Sequence, residues 1–242
     1  MKTKVVVLVM LFMAVIQVQS QEKKIVRIPL LGEVAPSFKA QSTNGQIAFP
    51  EDFGIKWKIL FAHPKDFTPV CSSELLELSQ QQEDYKNLNA QIVVLSTDII
   101  SQHNDWVKAL EEIKYKDREP VKIKFPLVAD DNLIISNQYG MIDPTASIAQ
   151  NIRAVFIIDP KNKIRSITFY PKEVGRNMEE IKRNLVALQT VDAQKNLMTP
   201  ANWVPGDNLM VPVISQAERE RIGNADSDIQ QVAWFMNFRK NK

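Results

Sequence analysis

Apolar residues along this chain gather into short blocks separated by longer amphipathic stretches. Ile59-Leu60-Phe61-Ala62, preceded by Lys58, and Ile92-Val93-Val94-Leu95, preceded by Gln91, are continuous runs of strand length, as in strands covered on both faces. Phe125 to Asp130 reads as a strand end and Arg153 to Asp159 as a further buried strand. A turn at Pro160–Lys163 then leads into a strand from Ile164 to Tyr170. Between these runs the spacing becomes helical. Leu75, Leu78, Gln82 and Tyr85 share one face of a helix from Glu74 to Leu88. Trp106, Leu110 and Ile113 share one face of a helix running from a Ser101 cap to Lys114. Asn132 to Tyr139 predicts a short helix stopped by Gly140, and Asn177 to Leu188 an amphipathic one. Asn44-Gly45 marks a hairpin turn between Phe38–Gln41 and Gln46–Phe49. Strand, helix, strand, helix, strand, then an antiparallel pair and a helix, predicts an α/β fold with a mixed central sheet.

The two ends read differently. Beyond Val191, Pro200, Pro205, Gly206, Asp207 and Pro212 break the chain into short runs. Ser215 to Ile222 predicts a short helix, and Ile229 to Arg239 a final strand carrying Trp234, Phe235 and Phe238. About fifty residues of this kind cannot bury a core alone, so 190–242 is expected to be a C-terminal extension of a domain spanning 21–189. At the start, Met1-Lys2-Thr3-Lys4 is basic and Val5 to Val18 is apolar except for Gln17. This pattern predicts a secretory signal peptide over 1–20, leaving Gln21 first in the mature chain. The apolar run is short for a bilayer, which needs about 20 residues. The other reading, an uncleaved anchor, also places the body outside the cytosol. The protein is therefore expected to be exported: secreted, periplasmic or in the secretory-pathway lumen.

Charge excludes one class of partner. The chain holds 30 basic and 28 acidic residues, and losing Lys2 and Lys4 with the leader makes them equal. No basic stripe with interleaved aromatics is present, so nucleic acid is not an expected partner. Two histidines without ligand spacing give no structural zinc site. Cys71 is the single cysteine, so no internal disulfide can form, and an unpaired thiol in an oxidising compartment is a liability unless it is used.

Cys71 falls where the strand ending at Ala62 hands over to a helix. The first turn of that helix offers free N–H groups and the positive end of the helix dipole, and such a position favours the thiolate. Speed would further require donors for charge developing on a leaving oxygen. Thr68 supplies a hydroxyl, and Pro64 and Pro69 stiffen the loop. Arg153 opens a strand of apolar residues, a costly place for a cation unless an anion needs it.

Pro64, Thr68 and Cys71 form the Pro-x-x-x-Thr-x-x-Cys pattern of the peroxiredoxins, and the whole run from His63 to Cys71 resembles the one-cysteine branch of that family. The resemblance continues from about Leu30 to the end. Ser96, Asp98, His103 and Trp106 resemble a family signature, read here as structural because His103 lies one strand-helix unit from Cys71. Arg153 to Pro160 resembles the strand of the active-site arginine. Tyr170-Pro171 and Gly175-Arg176-Asn177 resemble a later motif, and Trp203 to Asp207 a pattern in the C-terminal arm.

The resemblance implies a thioredoxin-like fold and reduction of hydrogen peroxide or small organic hydroperoxides at Cys71. Pro64, Thr68 and Arg153 would complete the catalytic set. Glu74 would orient Arg153 through a bidentate pair, with Arg176 joining the network. His63 is either a proton carrier or a hydrogen-bonded support. The product would be a sulfenic acid at Cys71. With no resolving cysteine, the reductant would come from outside, as a glutathione- or thioredoxin-like thiol; no cofactor is implied. The arm would pack on a partner subunit, giving a homodimer.

One activity of the branch is not expected. Its mammalian type hydrolyses phospholipids with a serine, a histidine and an aspartate, and here Lys56, Pro50 and Lys161 stand at those places. Two other classes compete. A thiol–disulfide oxidoreductase needs Cys-x-x-Cys, but position 74 is glutamate. A redox-silent chaperone or binding module of the same fold would need neither Arg153 nor Thr68.

Overall fold

Six consecutive buried residues make β3 (Trp57–Ala62) the centre of the molecule. In the computed structural model, which describes residues 27–224 and 227–240, β3 runs parallel to β4 (Ala90–Ser96) and antiparallel to β6 (Arg153–Ile158). Around them lie a hairpin of β1 (Phe38–Ser42) and β2 (Gly45–Phe49), then β5 (Leu127–Ala129) and β7 (Ile164–Tyr170). The mixed sheet has seven strands in the order β2-β1-β5-β4-β3-β6-β7. The predicted signal peptide lies outside the described residues.

Strand alternation sorts the core into two layers. Trp57, Ile59 and Phe61 point to the face covered by α1 (Pro69–Asn87), α2 (Ile100–Leu110) and α4 (Met178–Ala193), where they pack with Cys71, Leu75, Leu78, Tyr85, Trp106 and Leu185. Leu60 and Ala62 point the other way, to Phe38, Phe49, Phe156 and Tyr139 beyond α3 (Ile134–Gln138). Gly140, just after α3, has φ +63°, and an added Cβ would stand 2.6 Å from Ile28 Cγ1. Asn177 caps α4, its side chain accepting from the Glu180 amide.

The predicted α/β mixed-sheet class is the observed one, with local differences. The helix bearing Cys71 starts at Pro69 rather than Glu74, because proline suits the first helical position. Ser101 is not a cap: α2 starts one residue earlier, with Ile99 at the cap and no side-chain bond. That helix ends at Leu110, where Glu111 turns its carboxylate to the Ile123 amide, 2.8 Å, and Ile113 is left exposed.

In the C-terminal segment, β8 (Leu209–Val211), α5 (Gln216–Glu220), β9 (Ile229–Ala233) and β10 (Met236–Arg239) form a small unit with sheet order β8-β10-β9. The single final strand expected from Ile229 to Arg239 is thus two. Folding back at Trp234-Phe235 gives β10 a neighbour on each side, which a straight strand beside three-residue β8 would lack. Ser215 caps α5 in a capping box with Glu218. Trp203, Leu209, Val211 and Ile229 pack with Ala187 of α4, tying the arm to the domain.

Candidate active site

The end of β3, the start of α1 and the start of β6 converge on one sulfur. Cys71 is in the first turn of α1 and 0% exposed. The first helical bond runs from the Ser72 amide to the Thr68 carbonyl, 2.9 Å. The Val70 and Cys71 amides, ahead of it, have no intrahelical acceptor.

Arg153, 2% exposed, donates from Nη1 to Cys71 Sγ at 3.2 Å and to Glu74 Oε2 at 2.8 Å. Its other edge is fixed by backbone: Nε and Nη2 both reach the Lys172 carbonyl, at 2.9 and 2.6 Å. The bidentate partner of Glu74 is Arg176, not Arg153. Arg176 donates from Nε to Oε1 at 2.9 Å and from Nη2 to Oε2 at 2.7 Å, and its backbone amide adds 2.7 Å to Oε1. Nη1 of Arg176 closes on the carbonyls of Ala62 and Ala154, both at 2.9 Å, so it braces the ends of β3 and β6. The expected Glu74–Arg153 fork gives way because the Lys172 carbonyl already occupies the far side of Arg153. Burial pushes the Glu74 carboxyl up, but Arg176 and then Arg153 outweigh it and hold it below the usual range.

Two guanidinium cations face one carboxylate in this buried cluster, leaving one positive charge beside the sulfur for an anion to balance. Pro64 is buried in the loop. Thr68 occupies the N-cap position without capping; its hydroxyl donates to the Lys65 carbonyl, 2.9 Å. With that hydrogen committed, Thr68 Oγ1 meets an incoming group as an acceptor rather than the donor expected from sequence.

Two family models match the chain: the AhpC/TSA family over residues 31–167, and the C-terminal domain of 1-Cys peroxiredoxin over residues 187–223. A peroxiredoxin of Methanosarcina mazei is 46% identical over 217 residues, covering 88% of this chain and 99% of that relative. The chain belongs to the one-cysteine peroxiredoxins. A peroxiredoxin of Thermotoga maritima is 38% identical, covering 88% of this chain and 98% of the other. Among solved structures, a cysteine-to-serine mutant of the peroxiredoxin 6 of Arenicola marina superposes with TM-score 0.78 at 34% identity, covering 88% of this chain and 99% of that one. A yeast mitochondrial 1-Cys peroxiredoxin, described with a glutathione/thioredoxin thiol-resolving mechanism, gives TM-score 0.77 at 31% identity, over 88% of this chain and all of the other. This peroxiredoxin is a thiol peroxidase with one redox cysteine, of the thioredoxin-like fold, in a class that draws on external thiol reductants.

The peroxiredoxin site holds more than sequence spacing suggested. His63 is buried, and its Nε2 is 2.8 Å from Asp66 Oδ1; His103 Nδ1 is 2.7 Å from Asp66 Oδ2. His103, distant in sequence, thus reaches the loop that carries Cys71. Asp66 and the Lys172 carbonyl were not singled out by sequence. Asp66 had a faint signal, three residues after one of only two histidines; a carbonyl has none. Trp106 lies beside His63, ring centroids 5.1 Å apart, and donates to Ser72 Oγ, 3.3 Å. Among the described residues, His63, Asp66 and Asp98 bring possible metal-ligand atoms within 4.8 Å. Their carboxylate oxygens already accept from His63, His103, Ser96, Gln102 and the Asp66 amide.

Proposed function

We propose that this peroxiredoxin reduces hydrogen peroxide and small organic hydroperoxides, with Cys71, Thr68, Pro64 and Arg153 forming the catalytic set. The observation that carries this reading is the 3.2 Å approach of Arg153 Nη1 to a wholly buried Cys71 Sγ. The thiolate attacks the nearer peroxide oxygen. An S–O bond forms and the O–O bond breaks; the sulfur is oxidised to sulfenic acid, and the far oxygen leaves as hydroxide or alkoxide and takes a proton from solvent. Arg153 and the Val70 and Cys71 amides stabilise the charge, while Thr68 accepts from the peroxide hydroxyl. Glu74 and Arg176 fix Arg153, and Pro64 and His63 wall the loop.

An external glutathione- or thioredoxin-like thiol returns the sulfenic acid to thiol. Support comes from the single cysteine and from the yeast relative's reported reductants. Export is our reading of residues 1–20. Homodimer formation is supported by β7, an edge strand paired only with β6 among the described residues, and by Val232, Trp234 and Phe235, which lie exposed on the arm. Phospholipid hydrolysis is not proposed, because Lys56, Pro50 and Lys161 offer no nucleophile, base and acid.

The test is peroxide consumption with a thiol donor, combined with dimedone trapping after one equivalent of peroxide. Wild type is expected to turn over and to label at Cys71, and Cys71→Ser to do neither while keeping its fold. Undiminished turnover in Cys71→Ser would sink the assignment.

A further inference from the structure

Asn151 is 0% exposed, and neither Oδ1 nor Nδ2 of its side chain has a hydrogen-bond partner. An amide shut away from water in this state is destabilising, and few buried polar groups are left so. Its backbone, by contrast, is clamped on both sides. The Asp143 amide donates to the Gln150 carbonyl at 2.9 Å, and the Ile152 amide to the Met141 carbonyl at 2.8 Å. The side chain therefore holds a fixed place with its donor and its acceptor both unused.

Alternation shows which way it faces. Ile152 packs with Ala154 and Phe156 in the layer away from the sulfur, whereas Val155 and Ile157 pack with Cys71. Asn151 and Arg153 share this second face, one pleat apart, so Asn151 lies on the Cys71 side of the sheet.

Its height relative to the sulfur follows from the elements around it. Arg176 joins Glu74 to the Ala154 carbonyl, which sets Glu74 level with Ala154. The helix α1 leads from β3 to the parallel β4, so it runs back against both, in the direction of β6. Three residues before Glu74, Cys71 is raised by about 4.5 Å. Three residues before Ala154, Asn151 is raised by about 10 Å. Asn151 thus stands just outward of the sulfur. The Arg153 guanidinium is drawn the same way, since it holds the carbonyl of Lys172, beyond its register partner Tyr170.

We infer that the Asn151 side-chain amide belongs to the peroxide site, donating from Nδ2 to the oxygen that leaves and accepting at Oδ1 from that oxygen's hydrogen. The Thr68 hydrogen is held by the Lys65 carbonyl, so a neutral donor outward of the sulfur supplements Arg153 and the backbone amides as charge develops. Asn151 gives a hydrogen bond and yields no proton. The far oxygen of hydrogen peroxide carries a hydrogen for Oδ1, whereas that of an alkyl hydroperoxide carries carbon. Asn151 therefore favours hydrogen peroxide. The inference rests on the reading of Cys71 as the sulfur that meets peroxide, and it adds a residue that selects the substrate.

Asn151→Leu, close in shape and apolar, is the test. The urea midpoint is expected to hold or rise, because an unpaired buried amide is removed. The kcat/KM for hydrogen peroxide should fall by about 10², and that for tert-butyl hydroperoxide by less. Alkylation of Cys71 by iodoacetamide, in which no oxygen leaves, should keep its wild-type rate. An unchanged peroxide rate overturns the inference, and so does an equal loss in all three reactions. Should Asn151→Leu not fold, NMR of the full-length Cys71→Ser protein decides. Its Asn151 side-chain amide signals, assigned through their own backbone, should move as hydrogen peroxide is added, and signals that stay in place overturn the inference. Turnover in Cys71→Ser would sink the Cys71 assignment, whereas an inactive Cys71→Ser beside a fully active Asn151→Leu sinks this inference alone.

Discussion

Arg176 and Glu74 meet edge to edge, Nε on Oε1 at 2.9 Å and Nη2 on Oε2 at 2.7 Å, both side chains almost wholly buried. This pair, rather than the arginine at the sulfur, locks the carboxylate. Arg153 leans on a carboxylate already fixed, and its own rotation is stopped by the Lys172 carbonyl.

Glu74→Gln should therefore damage both fold and activity. It leaves two buried guanidinium groups without their shared carboxylate, and breaking such a network typically costs about 3–5 kcal/mol. Urea unfolding should show that loss at an unchanged denaturant slope, and peroxidase activity should fall alongside. A variant of wild-type stability would mean that the arginines find other partners.

Arg153→Lys tests the donor at the sulfur. Lysine keeps the charge but cannot reach Cys71, Glu74 and the Lys172 carbonyl together. Loss of a preorganised donor is worth about 10²–10³ in rate, so kcat/KM for peroxide should fall by that factor while the melting temperature moves little. Stopped-flow peroxide consumption gives the number.

Stability should decline with acid in two stages. His63 is depressed by burial, so below about 6.5 the unfolded chain takes up a proton that the native ring resists, and stability starts to fall. Glu74 and Asp66 are depressed carboxylates; their contribution is complete above about 5 and is lost as pH drops further. Denaturation curves between neutral pH and acid should show both stages, and His63→Asn should remove the first and weaken the Asp66 part of the second, since Asp66 then loses one of its two histidine partners.

Gly140→Ala probes the scaffold away from the sulfur. The site combines φ +63° with Ile28 backbone atoms 3.1 and 3.2 Å from the added Cβ. Alanine should cost more than about 1 kcal/mol, read as a lowered urea midpoint, with the peroxide rate constant of the folded fraction unchanged.

The central strands were legible because burial on both faces writes a plain signal. Ile59 to Ala62 and Ile92 to Leu95 are apolar at every position, and β3, β4, β6 and β7 lie where those runs and the following turn placed them. Cys71 and Arg153, 82 residues apart, could be joined from sequence only through the peroxiredoxin resemblance, because a lone thiol and a cation before an apolar run fit an ordinary strand-end arginine equally well. The rest depended on three-dimensional detail that spacing does not encode. Which arginine grips Glu74 is decided by the Lys172 carbonyl, and backbone carbonyls look alike in every sequence. His103 reaches Asp66 through the packing of α2 on β5, where its Nε2 meets the Val128 carbonyl, so distance along the chain misjudged its place. The fold-back at Trp234-Phe235 carries no glycine or asparagine to announce it, and the neighbouring short strand β8 decides the outcome.

The complete enclosure of Cys71 Sγ sets an order of admission. At 0% exposure even a water-sized molecule needs the loop to give, and a small peroxide needs far less movement than a tripeptide thiol or a whole redox protein. In-line attack by such a donor on the oxidised sulfur requires the opening turn of α1 to unwind first. Oxidation then proceeds at the pace of a small molecule's arrival, and recovery at the pace of a helix end's fraying. The strength with which Thr68, Pro69 and Val70 hold that turn becomes the clock that decides how long the protein remains in its oxidised form.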